Sequence, residues 1–139
     1  MSEYITKTEK ETFDLGRAFV AQLKSGCVVA LDGDLGTGKT VFVKGMAAGL
    51  GIAGHVLSPT FTLLRQYKGL NHFDVYRIDD AMELAEIGFK EYLNDENITV
   101  IEWANLIPEM LPDDRVRVEL KRTKVEGQRK ISIDGADVP

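Results

Sequence analysis

The chain has little with which to build disulfides, metal cages or membrane spans. Among 139 residues there are one cysteine, one tryptophan, two histidines and four prolines. The lone Cys27 excludes an intrachain disulfide, and its position just ahead of an apolar run predicts a buried thiol in a chain suited to a reducing cytoplasm. His55 and His72, with that single cysteine, do not furnish a structural zinc site. No apolar run approaches the roughly 20 residues that cross a bilayer, and Met1 to Lys7 lack the apolar stretch of a secretion signal, so a cytoplasmic, membrane-free location is expected. Positive charge is also short: 17 Lys and Arg against 22 Asp and Glu leave a net charge of -5. That balance argues against standing, non-specific binding of nucleic acid, which needs many cations to displace counterions. The basic residues that gather late, Arg115, Arg117, Lys121, Arg122, Lys124, Arg129 and Lys130, read as a solvated hairpin, so contact with RNA is expected to be local or partner-mediated.

What the chain does have is a glycine-rich loop. Gly33-Asp34-Leu35-Gly36-Thr37-Gly38-Lys39-Thr40 reads G-x-x-x-x-G-K-T directly behind the apolar run Val28 to Leu31, the strand-to-helix setting of a phosphate-binding loop. Glycines at 33, 36 and 38 let the backbone turn its N–H groups inward at a helix N-terminus, whose partial positive charge favours phosphate. Lys39 supplies a point charge for the outer phosphates, and Thr40 offers a hydroxyl to an octahedral Mg²⁺. Val41 to Leu50 continue at helical spacing to a cap near Gly51. The ligand expected is ATP or ADP with Mg²⁺.

Residues 1–139 fit one domain, large enough for a core and too small for a separate lid domain. Thr8-Glu9-Lys10-Glu11 has the form of a capping box, and Phe13, Leu15 or Gly16, Phe19, Val20 and Leu23 follow at roughly helical spacing. This first helix is expected beside the first strand, Val28 to Leu31. Val56 to Leu64 place a hydroxyl-bearing loop in apolar surroundings, with Pro59 interrupting any strand. An apolar run around Phe73 to Tyr76, a short helix from Ala81 to Ile87, a buried strand from Ile98 to Trp103 and strands near Val116 to Leu120 and Lys130 to Ile133 complete the order. Glu126-Gly127-Gln128 splits the last two as a hairpin, hence an antiparallel portion. The fold class predicted is α/β: a three-layer P-loop NTPase-like fold whose mixed parallel and antiparallel central sheet is flanked by helices.

A site that hydrolyses a triphosphate needs a strand-end carboxylate for Mg²⁺ and a group to orient the attacking water. Ile98-Thr99-Val100-Ile101-Glu102-Trp103 ends a buried-strand pattern in an acid, which assigns Glu102 to the metal through water; a solvent-facing strand terminus is the plainer reading of the same pattern. Leu70, His72, Asp74 and Tyr76 share one face of an extended segment. Asp74 there either orients water or acts as base, or is a carboxylate satisfied in a polar network, and spacing leaves both open. Ser58 and Thr60 reach a γ-phosphate or metal if the loop is a switch, and otherwise make a turn. Trp103 is by default a core residue, and beside Glu102 it also suits a shield over phosphates.

Gly-Asp-Leu-Gly-Thr-Gly-Lys-Thr, Ser58-Pro59-Thr60-Phe61, His72-Phe73-Asp74-Val75-Tyr76-Arg77 and Ile101-Glu102-Trp103 occur in the order seen in the bacterial TsaE (YjeE) ATPase family. The resemblance runs from about Thr8 to Arg129. It implies an ATPase, weak alone and stimulated by partners, that serves synthesis of threonylcarbamoyladenosine beside the anticodon of tRNA. TsaB and TsaD carry the transfer chemistry in that family, so tRNA is expected to be met through their complex. Carried over residue by residue, Leu35, Gly36, Thr37, Gly38, Lys39 and Thr40 embrace the phosphates, Thr40 and Glu102 serve Mg²⁺, and Lys39, Asp74 and Glu102 act in hydrolysis. Ser58 and Thr60 lie in a switch-like loop, Trp103 covers the site, and Glu9 and Arg129 match positions near the nucleotide. Thr37 stands where the family loop has alanine, a change expected to matter little because backbone groups bind phosphate.

Three other readings compete. Thr123-Lys124-Val125-Glu126 faintly resembles the guanine-reading Thr-Lys-x-Asp of GTPases, but Glu for Asp and the following Gly127 favour a hairpin turn. A small-metabolite kinase lacks room for a lid. A nucleotide-dependent binding module, whose ATP occupancy sets partner affinity while hydrolysis is incidental, differs from the ATPase mainly in what a hydrolysis-dead variant would still do.

Overall fold

The computed structural model describes residues 1–52, 64–76, 84, 88–93, 96–136 and 138. Seven strands form one sheet: β1 (Ser2–Thr6), β2 (Val28–Gly33), β3 (Leu64–Tyr67), β4 (Leu70–Asp74), β5 (Ile98–Glu102), β6 (Val116–Arg122) and β7 (Arg129–Asp134), in the spatial order β1-β7-β6-β2-β5-β4-β3. The middle four strands, β6, β2, β5 and β4, run parallel, while β7 on β6, β1 on β7 and β3 on β4 are antiparallel. The expected mixed sheet is therefore present, with a parallel centre and an antiparallel flank on each side. Helices α1 (Glu9–Val20), α2 (Lys39–Gly49) and α3 (Phe89–Leu93) complete the described regular elements, with two short 3-10 turns after β5.

Strand β2 shows why the fold needs three layers. It is buried along most of its length, and alternate side chains face opposite ways. Val29 and Leu31 join Val118, Leu120, Ile131 and Ile133 under α1 and α2, where Phe19, Phe42, Val43 and Met46 are wholly buried. Val28 and Ala30 join Phe73 and Ile101 on the other face, beneath Phe89, Ala104 and Ile107. Phe73 meets Phe89 edge-on with ring centroids 5.0 Å apart.

Helix α1 begins as the sequence predicts: Glu11 N–H donates to Thr8 Oγ1 at 3.1 Å, and Glu11 Oε1 accepts the Lys7 N–H at 2.9 Å. It packs against α2 at unusually close range, because Gly16 lies against the Phe42 carbonyl and Gly45 against the Phe13 carbonyl, with no room for a methyl at either position. Helix α2 ends at Gly49, and Gly51 follows with φ +76°, the left-handed turn foreseen there.

Three features depart from the sequence reading. Ser2–Thr6, treated only as a stretch without a signal, forms β1, the edge strand paired with β7, so the first helix follows a strand instead of preceding it. Strand β4 closes at Asp74 and does not reach Tyr76, because after Asp74 the chain turns and Asp74 Oδ1 accepts the Tyr76 N–H at 3.0 Å. Cys27 is half-buried, not buried; that burial, with Asp114 nearby, pushes its thiol up from the ordinary range. Of the helix expected over residues 81–87 only Leu84 is described, helical and buried. Among the described residues no helix is long and apolar enough to cross a membrane.

Candidate functional site

The parallel strands all end at one edge of the sheet, and chain reversals bring two further ends there: Arg122 pairs with Arg129, and Thr6 with Arg129. Asp74, Glu102 and Leu31 are register partners on adjacent strands β4, β5 and β2, immediately before the loop that begins at Gly33. A crevice outside the carboxyl ends of parallel strands is where open α/β sheets hold ligands. Here it is a cavity of about 330 Å³ lined by Glu9, Leu35 to Thr40, Asp74, Glu102, Trp103 and Arg129, together with Thr8, Thr12, Val41 and Gly127. Every candidate read from the sequence therefore reaches this cavity except Ser58 and Thr60, which lie outside the described residues.

Two arginines hold the loop by its carbonyls. Arg129 donates from Nε to the Thr37 carbonyl at 3.1 Å and from Nη2 to the Gly36 carbonyl at 3.3 Å, while Arg122 donates to the Leu35 carbonyl. In a trans peptide the N–H points away from the C=O, so pinning three successive carbonyls on the arginine side turns the following amides the other way. Gly38, at φ +99°, caps α2 in a left-handed conformation and delivers Lys39 and Thr40 onto the first turn of the helix. Thr37 does more than its alanine-like position led one to expect: its buried hydroxyl donates to the Asp34 carbonyl at 2.7 Å, closing the loop across its own base.

Lys39 is buried, yet its ammonium is well supplied with partners. It donates to the Gly33 carbonyl and, at 3.3 Å, to that of Asp34, and it sits 3.8 Å from the centre of the Trp103 ring. Burial pulls its pKa below the usual lysine value, and the carboxylates of Glu102, Asp74, Asp32 and Asp34 oppose that shift. The opposite holds for Asp74: loss of solvent raises its pKa, Glu102 adds to the rise, and the Tyr76 N–H, His72 and Lys39 work against it.

Trp103 is neither plainly core nor plainly exposed. It has φ +63°, and its N–H donates to the Leu31 carbonyl at 3.0 Å. The next turn is anchored by the Asn105 N–H donating to Asp32 Oδ1 at 2.9 Å, and the Tyr76 ring leans on Trp103 with centroids 4.6 Å apart. This network fixes an unfavourable backbone for a bulky residue, a conformation that persists only where surroundings enforce it. Asp32, whose pKa is raised chiefly by burial, was not singled out in the sequence; an acid inside an apolar strand ending was its only signal.

Glu102 is likewise not a solvent-facing terminus. Its side chain is buried, and Oε2 lies 2.5 Å from His72 Nε2. The missed cavity residues Thr8, Thr12 and Gly127 arrive through pairing at a distance: Thr12 Oγ1 and Thr6 Oγ1 are 2.7 Å apart, tying α1 to the end of β1, and Gly127 belongs to the β6–β7 turn. That turn also settles Thr123 to Glu126. Thr123 Oγ1 accepts the Val125 N–H at 3.1 Å within the hairpin, so the segment is no strand-to-helix loop.

Relatives share this chain across most of its length. Residues 6–131 match the family described as threonylcarbamoyl adenosine biosynthesis protein TsaE. The tRNA threonylcarbamoyladenosine biosynthesis protein TsaE of Bacillus subtilis is 43% identical over 121 residues, 84% of this chain and 75% of that protein. Its namesake in Treponema pallidum is 39% identical over 132 residues, 93% of this chain and 97% of that protein. The crystal structure of Bacillus subtilis YdiB superposes with a TM-score of 0.82 at 35% identity, covering 99% of this chain and 86% of that one. The ordered motifs, the mixed sheet and these relatives agree, and the chain belongs to the TsaE family.

Proposed function

We propose that this chain is a Mg²⁺-dependent ATPase that serves formation of threonylcarbamoyladenosine in tRNA, working with TsaB and TsaD and meeting tRNA through them. The relatives, which are tRNA threonylcarbamoyladenosine biosynthesis proteins, support the pathway. The observation that carries the chemistry is a single cavity in which the arginine-pinned loop, Lys39 and two strand-end carboxylates converge. Electrostatic positioning supplies most of the catalysis of phosphoryl transfer, and these are the groups that work requires.

The donors suit magnesium. Thr40 and Glu102 offer oxygen only, and among the described residues no group of three His, Cys, Asp or Glu forms a metal cage. Mg²⁺ is commonly held by one or two carboxylates while phosphates and waters complete its shell. When bound it would neutralise phosphate charge. The chain's own residues do the rest. Loop amides and the α2 N-terminus receive the phosphates, Lys39 moves its charge from loop carbonyls to phosphate oxygens, and Trp103 covers the reacting end. Asp74, whose carboxyl burial pushes up from the ordinary aspartate range, orients the attacking water.

The test is ATP hydrolysis by the purified chain with and without the cognate TsaB and TsaD proteins, run beside tRNA modification. Mg²⁺-dependent turnover that rises with both partners is expected. Hydrolysis absent under all conditions, while a Lys39→Ala variant still sustains modification, would reject the ATPase role in favour of a scaffold.

A further inference from the structure

We propose that His72 is a positioning residue whose Nε2–H pins the Glu102 carboxylate in the orientation used for the metal; this rests on the Mg²⁺-ATP reading above. Both side chains are sealed from solvent, His72 at 0% exposure and Glu102 at 4%. Strand pairing makes their approach obligatory. His72 pairs with Val100, so Glu102, two residues farther along β5, lies diagonally from it on the same face. The 2.5 Å separation puts Nε2 and Oε2 in direct hydrogen-bond contact.

The other ring nitrogen sets His72 apart from an ordinary core residue: among the described residues the buried Nδ1 has no hydrogen-bond partner. A buried polar atom left unmatched is costly, and an apolar residue in the middle of β4 would avoid that cost. An ionised carboxylate only accepts, so in the contact with Glu102 it is Nε2 that brings the proton. A carboxylate fixed through Oε2 presents Oε1 at one place, and outer partners of this kind tune metal ligands by orienting them.

Two measurements test the assignment. In protein labelled with ¹⁵N at the histidine ring, without nucleotide, His72 should show a protonated Nε2; a bare Nε2 overturns the proposal. Calorimetry with ATP in excess EDTA and across a Mg²⁺ titration should then separate a positioning role from a merely structural one. In His72→Phe the Mg²⁺ needed for half-maximal tight binding should rise about 10–100-fold, while affinity for metal-free ATP holds. His72→Gln, which keeps an amide donor and serves if the Phe variant does not fold, should lie between it and the parent. A parental Mg²⁺ requirement in the folded variants, or equal losses with and without Mg²⁺, overturns the proposal. A parent that binds no nucleotide at all sinks the ATPase reading instead, and the ring spectrum still decides whether His72 holds Glu102.

Discussion

The Lys39 ammonium lies 3.8 Å from the centre of the Trp103 ring, so the glycine-rich loop and the end of β5 are joined by a cation and an aromatic face. Such contacts contribute about 0.5–2 kcal/mol depending on desolvation. The same ammonium is shared with loop carbonyls of Gly33 and Asp34. On the proposed function, a phosphate that takes this ammonium would displace all three partners, coupling ligand entry to the Trp103 ring.

Because Trp103 is the sole tryptophan, this coupling has a built-in optical reporter. Mg²⁺-ATP should change the intrinsic emission of the parent. Lys39→Ala should shift emission of the free protein and weaken ATP binding at least tenfold, since a charge-assisted hydrogen bond contributes about 1.5–3 kcal/mol. Unchanged emission together with unchanged affinity would remove Lys39 from the site.

Asp74→Asn should separate activity from stability. The native pKa of Asp74 is raised above 3.8 by burial, so the folded chain holds its proton at pH values where the unfolded chain has lost it. Stability from this group is therefore present below the ordinary aspartate range and falls as pH rises through the native value. Asparagine keeps an acceptor for the Tyr76 N–H and removes the buried charge. At neutral pH the variant should gain roughly 0.5 kcal/mol, a modest figure because the half-exposed carboxylate is screened. The gain should vanish near pH 3, while hydrolysis falls about 100-fold or more. Denaturant melts at both pH values check the first statement and partner-stimulated turnover the second.

Arg129→Ala should loosen the loop it braces. Loss of two bonds to the Gly36 and Thr37 carbonyls is expected to weaken nucleotide binding about 5–10-fold, near 1–1.5 kcal/mol. The loss should be similar for ADP and ATP, because the guanidinium acts through the loop. A penalty confined to ATP in calorimetry would mean instead that Arg129 touches the terminal phosphate. Arg129→Lys should rescue little, since an ammonium lacks the planar fork.

Gly45→Ala decides between propensity and packing by its sign. On an exposed helix the change stabilises by about 1 kcal/mol. Here the added methyl meets the Phe13 carbonyl, so α1 must move away and stability should drop by about 2–3 kcal/mol. A chemical melt showing a gain would refute the close helix crossing.

Local chemistry made much of this protein legible in one dimension. The glycine loop, the α1 cap, the buried β5 ending in Glu102 and the late hairpin each announce themselves over a few residues, because turn geometry, capping and apolar periodicity are short-range effects. Residues outside these signals were harder to find. Strand β1 has too little apolar content to reveal itself, and it exists because β7 presents an edge to pair with. The weak expectations for Glu9 and Arg129 came from resemblance alone, since nothing in their own neighbourhoods points to phosphate.

The sequence by itself therefore determined which groups this chain can bring to the cavity, and in what order the strands and helices present them. Only the tertiary structure decided their company: that Glu102 meets His72, that Arg122 and Arg129 brace the loop by its carbonyls, and that Trp103 rests on Lys39. The physical reason is that each of these contacts joins residues brought together by strand order and register, and register is a property of paired chains, which no single stretch of sequence encodes.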